Sequence, residues 1–251
     1  MSDKKIALVT GAGSGIGRAC ALALASEGWT VVLAGRRLSA LEETQQMAGS
    51  ASANCVCMSA DLTDVQQVAT LFAAITQQLG RLDLLFNNAG ISLPYTTPGD
   101  LAASDWNAAI NVNVNAAFYC LSHAFKCMQT QLPQGGRIIN NGSVSAHVPR
   151  PGAIAYAASK HAITGMTRAA ALDGRPFNIA VGQIDIGNVA SDMTTAMAKG
   201  IRQANGTIAP EACMEMSCVV DTFMAMVRMP LHANILFATV MATQMPYVGR
   251  G

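Results

Sequence analysis

Short apolar runs recur along the chain, separated by stretches with helical periodicity. KIALVT, TVVLA, NCVCMSA, RLDLLFNNA, GRIINNGS, NIAVGQI and NILFATVMA each read as a strand bounded by turn residues. Strand and helix alternating at this spacing predict βαβ units, and so an α/β fold with a parallel sheet and helices on both faces. No internal repeat, low-complexity tract or linker divides the sequence, so residues 1–251 are expected to form a single domain. The rhythm breaks once, at about 187–216, where Gly, Ala, Met and Thr accumulate after the sixth strand. An insertion there would overhang the carboxyl ends of the strands, where open α/β sheets bind ligands, and it reads as a substrate lid.

Composition changes this picture mainly by exclusion. With 251 residues, 51% of them hydrophobic, the chain can bury a sizeable core. A net charge of +1 with both signs scattered provides no stripe for nucleic acid and no patch for an anionic membrane. The apolar runs are short and interrupted, and MSDKKIALVTG enters a strand pattern without a long apolar leader. These features argue against a membrane span or secretory signal and make the cytoplasm the expected compartment. Seven cysteines, at 20, 55, 57, 120, 127, 213 and 218, are spread through apolar segments and read mostly as buried, reduced thiols. Without a Cys-x-x-Cys or a histidine cluster, no metal site is expected.

Candidate chemistry begins directly after the first strand, in TGAGSGIGRACALALASEG. Glycines that follow a strand and open a helix suit a dinucleotide: Gly11 for the sharp turn, Gly15 for close approach of a pyrophosphate, Gly17 for helix packing. Ser14, Ile16 and the helix N-terminus would present free amides to the anion. The second strand ends at Gly35-Arg36-Arg37, with glycine where a site for the unphosphorylated cofactor usually carries an acid. A planar guanidinium can bond two phosphate oxygens, so Arg36, with Arg37 second, points to the 2′-phosphate of NADP, with NAD as the alternative. Asp61-Leu62 follows the third strand, where the carboxylate would accept from an adenine amino group or cap the next helix. Asn88, Ala89 and Gly90 follow the fourth, suited to lie beside a nucleotide or to close a turn.

Further along, AIAYAASKHAITGMTRAAAL places Tyr156 and Lys160 four residues apart on a helix with little other charge. At that spacing the phenol and the ammonium are neighbours on one face. Taken together, Thr-Gly-x-x-x-Gly-Ile-Gly at 10–17, Asn-Asn-Ala-Gly at 87–90, Ser143 and Tyr-x-x-x-Lys at 156–160 resemble the short-chain dehydrogenase/reductase family. The resemblance covers essentially the whole chain. It implies a single Rossmann-type, doubly wound domain, a nicotinamide cofactor, hydride exchange with a carbonyl or secondary alcohol, and a homotetramer or homodimer. It also implies roles: Tyr156 as general acid/base, Ser143 as hydrogen-bond donor to the substrate oxygen, and Lys160 on the nicotinamide ribose. Asn113, rather than its neighbours Asn111 and Asn115, would hold a water in a proton relay. The chemistry fits, because a developing alkoxide needs a proton donor and a nearby ammonium brings a phenol toward the working range. A dinucleotide-sensing regulator is the alternative of another class, but such proteins often lack the tyrosine or lysine present here.

Departures from the family concentrate after the sixth strand, where IAVGQIDIGNVASDM has Ile184-Asp185 near the place of the usual Pro-Gly. Backbone at Ile186 and Gly187, assisted by Asn188, would then meet the nicotinamide carboxamide, and Asp185 near that ring would favour its oxidised, positive form. His147 reads as a loop residue with a possible substrate contact. Arg150 reads as a surface charge, or as a partner for an acidic substrate. Met193, Met197, Met214 and Met216 suit an adaptable apolar lid or ordinary core filling. Pro246 and Tyr247, in ATQMPYVGRG, are expected to pack against a subunit partner.

Overall fold

The computed structural model describes residues 4–190 and 200–248. In chain order the elements are β1 (Ile6–Thr10), α1 (Gly15–Ser26), β2 (Thr30–Gly35), α2 (Leu38–Met47), β3 (Cys55–Ser59), α3 (Val65–Leu79) and β4 (Leu84–Asn87). There follow α4 (Ala103–Ile110), α5 (Ala116–Thr130), β5 (Gly136–Asn141), α6 (Ile154–Asp173) and β6 (Ile179–Ile186). A small hairpin of β7 (Ile201–Arg202) and β8 (Ile208–Ala209) precedes α7 (Met216–Arg228) and β9 (Phe237–Val240). Seven strands pair in parallel in the order β3-β2-β1-β4-β5-β6-β9. Every strand run read from the sequence belongs to this sheet.

Strand geometry explains why these runs are almost unbroken in hydrophobicity: successive side chains leave opposite faces, and helices cover both. Ala7 and Val9 of β1 pack with Val31, Leu33 and Phe86 beneath α1 and α7, while Ile6 and Leu8 pack with Val32, Ala34 and Leu85 beneath α3 and α5. Helix ends follow their local chemistry. Asp64 caps α3 by accepting from the backbone N–H groups of Gln66 and Gln67 at 2.9 and 3.4 Å, and Gly80 ends the helix at φ +83°.

Several composition-based expectations meet their places here. All seven cysteines are free thiols, and burial pushes Cys120 up to about 12, so the interior thiols stay protonated and inert. Cys218 is exposed. Met214 lies in the core cluster and Met216 packs against it, the core-filling alternative; Met193 and Met197 lie outside the described residues. Met245 packs into the core and Tyr247, half-buried, lies against it. Among the described residues, no helix is long and apolar enough to cross a membrane.

Phe223 of α7 is fully buried and meets Phe86 of β4 with ring centroids 4.5 Å apart. Phe223→Ala is expected to cost about 3–5 kcal/mol of unfolding free energy, read as a lower urea midpoint at unchanged slope. A change within about 0.5 kcal/mol would show that α7 does not hold this face of the sheet.

Candidate active site

Strand order reverses between β1 and β4, so the loops leaving them diverge and open a crevice at the carboxyl edge of the sheet. A cavity of about 1100 Å³ runs along that edge. At one end lies the glycine turn. Gly17 packs so closely that a Cβ would sit 2.3 Å from the Gly11 carbonyl oxygen and 2.5 Å from Asn88 Nδ2. Gly15, at φ +52°, has open space where a Cβ would point, so the backbone there can approach a bound group. Ser14, at the N-cap of α1, makes no side-chain cap bond, and Ser14, Gly15 and Ile16 all line the cavity. Open space beside first-turn amides fits a pyrophosphate.

A clamp on this turn was not read from the sequence. Arg18 donates to the Gly13 carbonyl at 2.6 Å and to Thr44 Oγ1 at 3.0 Å, and it pairs with Glu43 at 2.8 Å. Buried Thr44 donates in turn to the Ala12 carbonyl at 2.9 Å. The signal was a single arginine in the otherwise apolar GIGRACALALAS. Beyond β2, Arg36 and Arg37 are exposed on the cavity wall. Asp61 and Leu62 line the cavity as well. Asp61 accepts from the Thr63 backbone N–H at 3.0 Å and from its hydroxyl at 2.8 Å, so it shapes a turn, and Asp64 takes the capping role. Thr10 Oγ1 accepts from the backbone N–H groups of Asn88 and Ala89 at 2.8 and 3.0 Å. The Asn88 side chain bridges β1 and β5: Nδ2 donates to the Thr10 carbonyl at 2.9 Å, and Oδ1 accepts from Asn141 at 2.8 Å. This leaves backbone from Asn88 to Gly90 on the cavity wall.

At the other end stand the groups with proton chemistry. Ser143, just past β5, is buried and lines the cavity with Tyr156 from the first turn of α6 and Lys160 one turn on. Ser143 hydrogen-bonds the Tyr156 hydroxyl. Lys160 Nζ donates to the Asn141 carbonyl at 2.7 Å and lies 5.6 Å from the centre of the Tyr156 ring. Burial lowers the lysine to about 8, with the charge of Asp185 pulling the other way. Tyr156 is held above the ordinary phenol range by burial, against the Ser143 bond and the charge of Arg150. That direction differs from the sequence expectation: enclosure of the hydroxyl outweighs both favourable contacts, and the cation acting on it is Arg150. Asn113 sits in a π-helical turn, Asn111–Asn115, between α4 and α5. It is buried, accepts from the Ile91 N–H at 2.8 Å, and donates to the Ile91 carbonyl at 2.9 Å and Ser159 Oγ at 3.2 Å. Asn111 and Asn115 bond each other on the outside of the turn at 2.7 Å.

After β6, Ile186, Gly187 and Asn188 line the cavity, but both ends of the Asn188 carboxamide are engaged. Its oxygen accepts from Arg150 at 2.9 Å, and its nitrogen donates to Glu211 at 2.8 Å. Arg150 is therefore no surface charge: its side chain is 8% exposed and its guanidinium lies 2.5 Å from the Glu211 carboxylate, itself 1% exposed. This pair ties the segment after β8 to the loop before α6. His147 is not among the cavity-lining residues and bonds Asp185, with Nε2 and Oδ2 3.0 Å apart. The Asp185 carboxylate lies outside the cavity lining too and is turned toward the protein rather than toward a nicotinamide.

A family model described as short chain dehydrogenase matches residues 5–202. Over 174 residues the chain is 43% identical to a 3beta-hydroxysteroid dehydrogenase of Mediterraneibacter gnavus, a match covering 68% of this chain and 61% of that protein. A cyclohexanol dehydrogenase of Acinetobacter is 36% identical over 196 residues, covering 75% of this chain and 76% of the other. Among solved structures, acetoin dehydrogenase from Salmonella typhimurium aligns with a TM-score of 0.80 at 29% identity over 94% of both chains. The 3-ketoacyl-(acyl-carrier-protein) reductase of Brucella melitensis, complexed with NADH, shares the fold at a TM-score of 0.84 and 22% identity, over 97% of this chain and 99% of that one. A match running from β1 to the hairpin after β6, with relatives spanning most of the chain, makes this protein a member of the short-chain dehydrogenase/reductase family of NAD(P)-dependent oxidoreductases.

Proposed function

We propose that the protein is an NADP-preferring oxidoreductase, exchanging hydride between the nicotinamide and a carbonyl or secondary alcohol on a largely hydrocarbon, cyclic substrate. The observation that carries this reading is one cleft with the glycine turn and two arginines at one end and Ser143, Tyr156 and Lys160 at the other. Arg36 and Arg37, free of an acidic residue at Gly35, support the 2′-phosphate. The names of the hydroxysteroid and cyclohexanol relatives support a cyclic substrate, as does a wall that includes Ile91, Leu93, Pro94, Val144, Ile154 and Ile201. A homo-oligomer, supported by exposed Trp106 on α4 and Phe118 on α5, and a place in the cytoplasm complete the proposal. The segment from Gly187 to Met216 acts as the lid.

When bound, the nicotinamide supplies or accepts the hydride. Tyr156 gives a proton to the substrate oxygen or takes it away, and Ser143 donates a hydrogen bond to that oxygen as charge develops. Lys160 bonds the nicotinamide ribose, and Asn113 holds the relay behind it. Ser14, Gly15 and Ile16 hold the pyrophosphate; Asp61, Leu62 and the backbone from Asn88 to Gly90 flank the adenosine; Ile186, Gly187 and Asn188 flank the nicotinamide. A phenol held above its ordinary range is protonated at neutral pH, the state needed to deliver a proton to a ketone.

Three measurements check this reading. Tyr156→Phe is expected to lower kcat about 10²–10⁴-fold while leaving the cofactor Kd in place; unchanged turnover would favour the regulator alternative. Arg36→Ala is expected to weaken NADPH about tenfold, about 1.4 kcal/mol, without affecting NADH, whereas equal losses for both would remove the 2′-phosphate assignment. Because the raised phenol must lose its proton to act as a base, kcat for alcohol oxidation should climb with pH above neutrality while that for ketone reduction declines. Oxidation that is flat across pH 7–10 would contradict proton handling by Tyr156.

A further inference from the structure

Asp185 stands near the carboxyl end of β6 with 1% of its surface exposed, an expensive place for a carboxylate. Alternation along the strand sends Ile184 and Ile186 to the α7 face, so Gln183 and Asp185 face α6 and the loop before it. Asp185 Oδ1 accepts from the backbone N–H of Ser143 at 3.0 Å and from Gln183 Nε2 at 2.7 Å, while Oδ2 meets His147 Nε2 at 3.0 Å. Only glycine fits at position 142, where a Cβ would lie 2.1 Å from Oδ1. The carboxylate and the serine loop are thus built around each other.

An amide would satisfy the Ser143 and Gln183 N–H groups without the desolvation cost of a charge, so the use of the negative charge lies with the titratable neighbours. Among the described residues, the charged and titratable groups around Asp185 are few. His147 comes from the serine loop, and Lys160 and Tyr156 come from α6; Arg150 and Glu211 neutralise each other at 2.5 Å. The hydrogen-bond acceptor of the Lys160 ammonium, the Asn141 carbonyl, is neutral. We infer that Asp185 is a positioning residue of the reaction, anchoring the Ser143 loop through its backbone N–H and supplying the buried negative charge that balances the Lys160 ammonium. Burial lowers Lys160 to about 8 even against that charge, so without it the lysine would lose its proton at a lower pH still. The consequence for catalysis rests on the proposed role of Lys160 as an ammonium on the ribose.

Asp185→Asn keeps the shape, an acceptor for Ser143 and Gln183, and a donor for His147, and it removes only the charge. In the whole protein carrying 13Cε-labelled lysine, with the Lys160 signal assigned from Lys160→Arg, the titration midpoint of Lys160 is expected to fall by about one pH unit in Asp185→Asn. The alkaline limb of kcat/KM for carbonyl reduction should move down with it. His147→Gln, which retains the carboxylate, should leave both in place. An unmoved midpoint in Asp185→Asn, with activity reduced by one factor at every pH, would overturn the inference, as would an equal drop in His147→Gln. If the parent protein reduces no carbonyl compound, the functional reading fails, and the lysine midpoint still decides the role of Asp185.

Discussion

A parallel sheet covered on both faces gives its interior polar side chains no water, so each must find a partner on a neighbouring strand or on the covering helix. In this protein that constraint sets the height of the catalytic helix. Asn87, Asn140 and Gln183 stand side by side across β4, β5 and β6. Asn87 Nδ2 donates to the Ala117 carbonyl of α5 at 2.7 Å. Asn140 Nδ2 donates to Thr167 Oγ1 of α6 at 2.9 Å, and that hydroxyl donates to Gln183 at 3.0 Å. Gln183 also donates to Thr164, one turn nearer the catalytic end of α6. Sliding α6 along the sheet would strand several buried groups at about 1–3 kcal/mol each, so the register that puts Tyr156 and Lys160 beside Ser143 is the one that satisfies them.

The same row explains why the active-site loop can be short. Gln183 passes its second amide hydrogen to Asp185, and Asp185 receives the Ser143 N–H, so the polar row of the sheet continues into the catalytic loop. On the other side of the cleft, Thr10 and Asn88 do comparable work for the β4 loop, and Arg18 with Thr44 does it for the glycine turn. The cleft is therefore walled by backbone that side chains from behind have already satisfied.

This division also explains what the sequence discloses. The five inner strands were legible because burial on both faces makes them continuous apolar runs, the half-buried edge strands β3 and β9 because they remain mostly apolar between turn signals, and the glycine turn because its spacing is fixed by local backbone geometry. Tyr156 and Lys160 were legible as neighbours because helical spacing alone decides it. Pairs made by the fold were not: His147 and Asp185 are 38 residues apart, and Arg150 and Glu211 are 61 apart. Read singly, His147 looked like a loop residue, Arg150 like a surface charge and Asp185 like a neighbour of the nicotinamide, and Glu211 drew no reading. The stretch after β6 resisted reading for another reason. Its methionines read equally as lid and as core filling, and Met214 serves the core beneath α7 rather than the cavity.

Charge around Tyr156 is distributed differently from what the tyrosine–lysine spacing alone suggests. Lys160 has its Nζ bound to the Asn141 carbonyl and its charge coupled to Asp185, behind the serine loop. The cation acting on the phenol is Arg150, and its guanidinium is itself paired with the Glu211 carboxylate at 2.5 Å. Burial therefore outweighs the Ser143 bond and the Arg150 charge and holds the phenol above its ordinary range. Glu211 lies just after β8, so one buried ion pair ties that segment to the cation acting on the phenol.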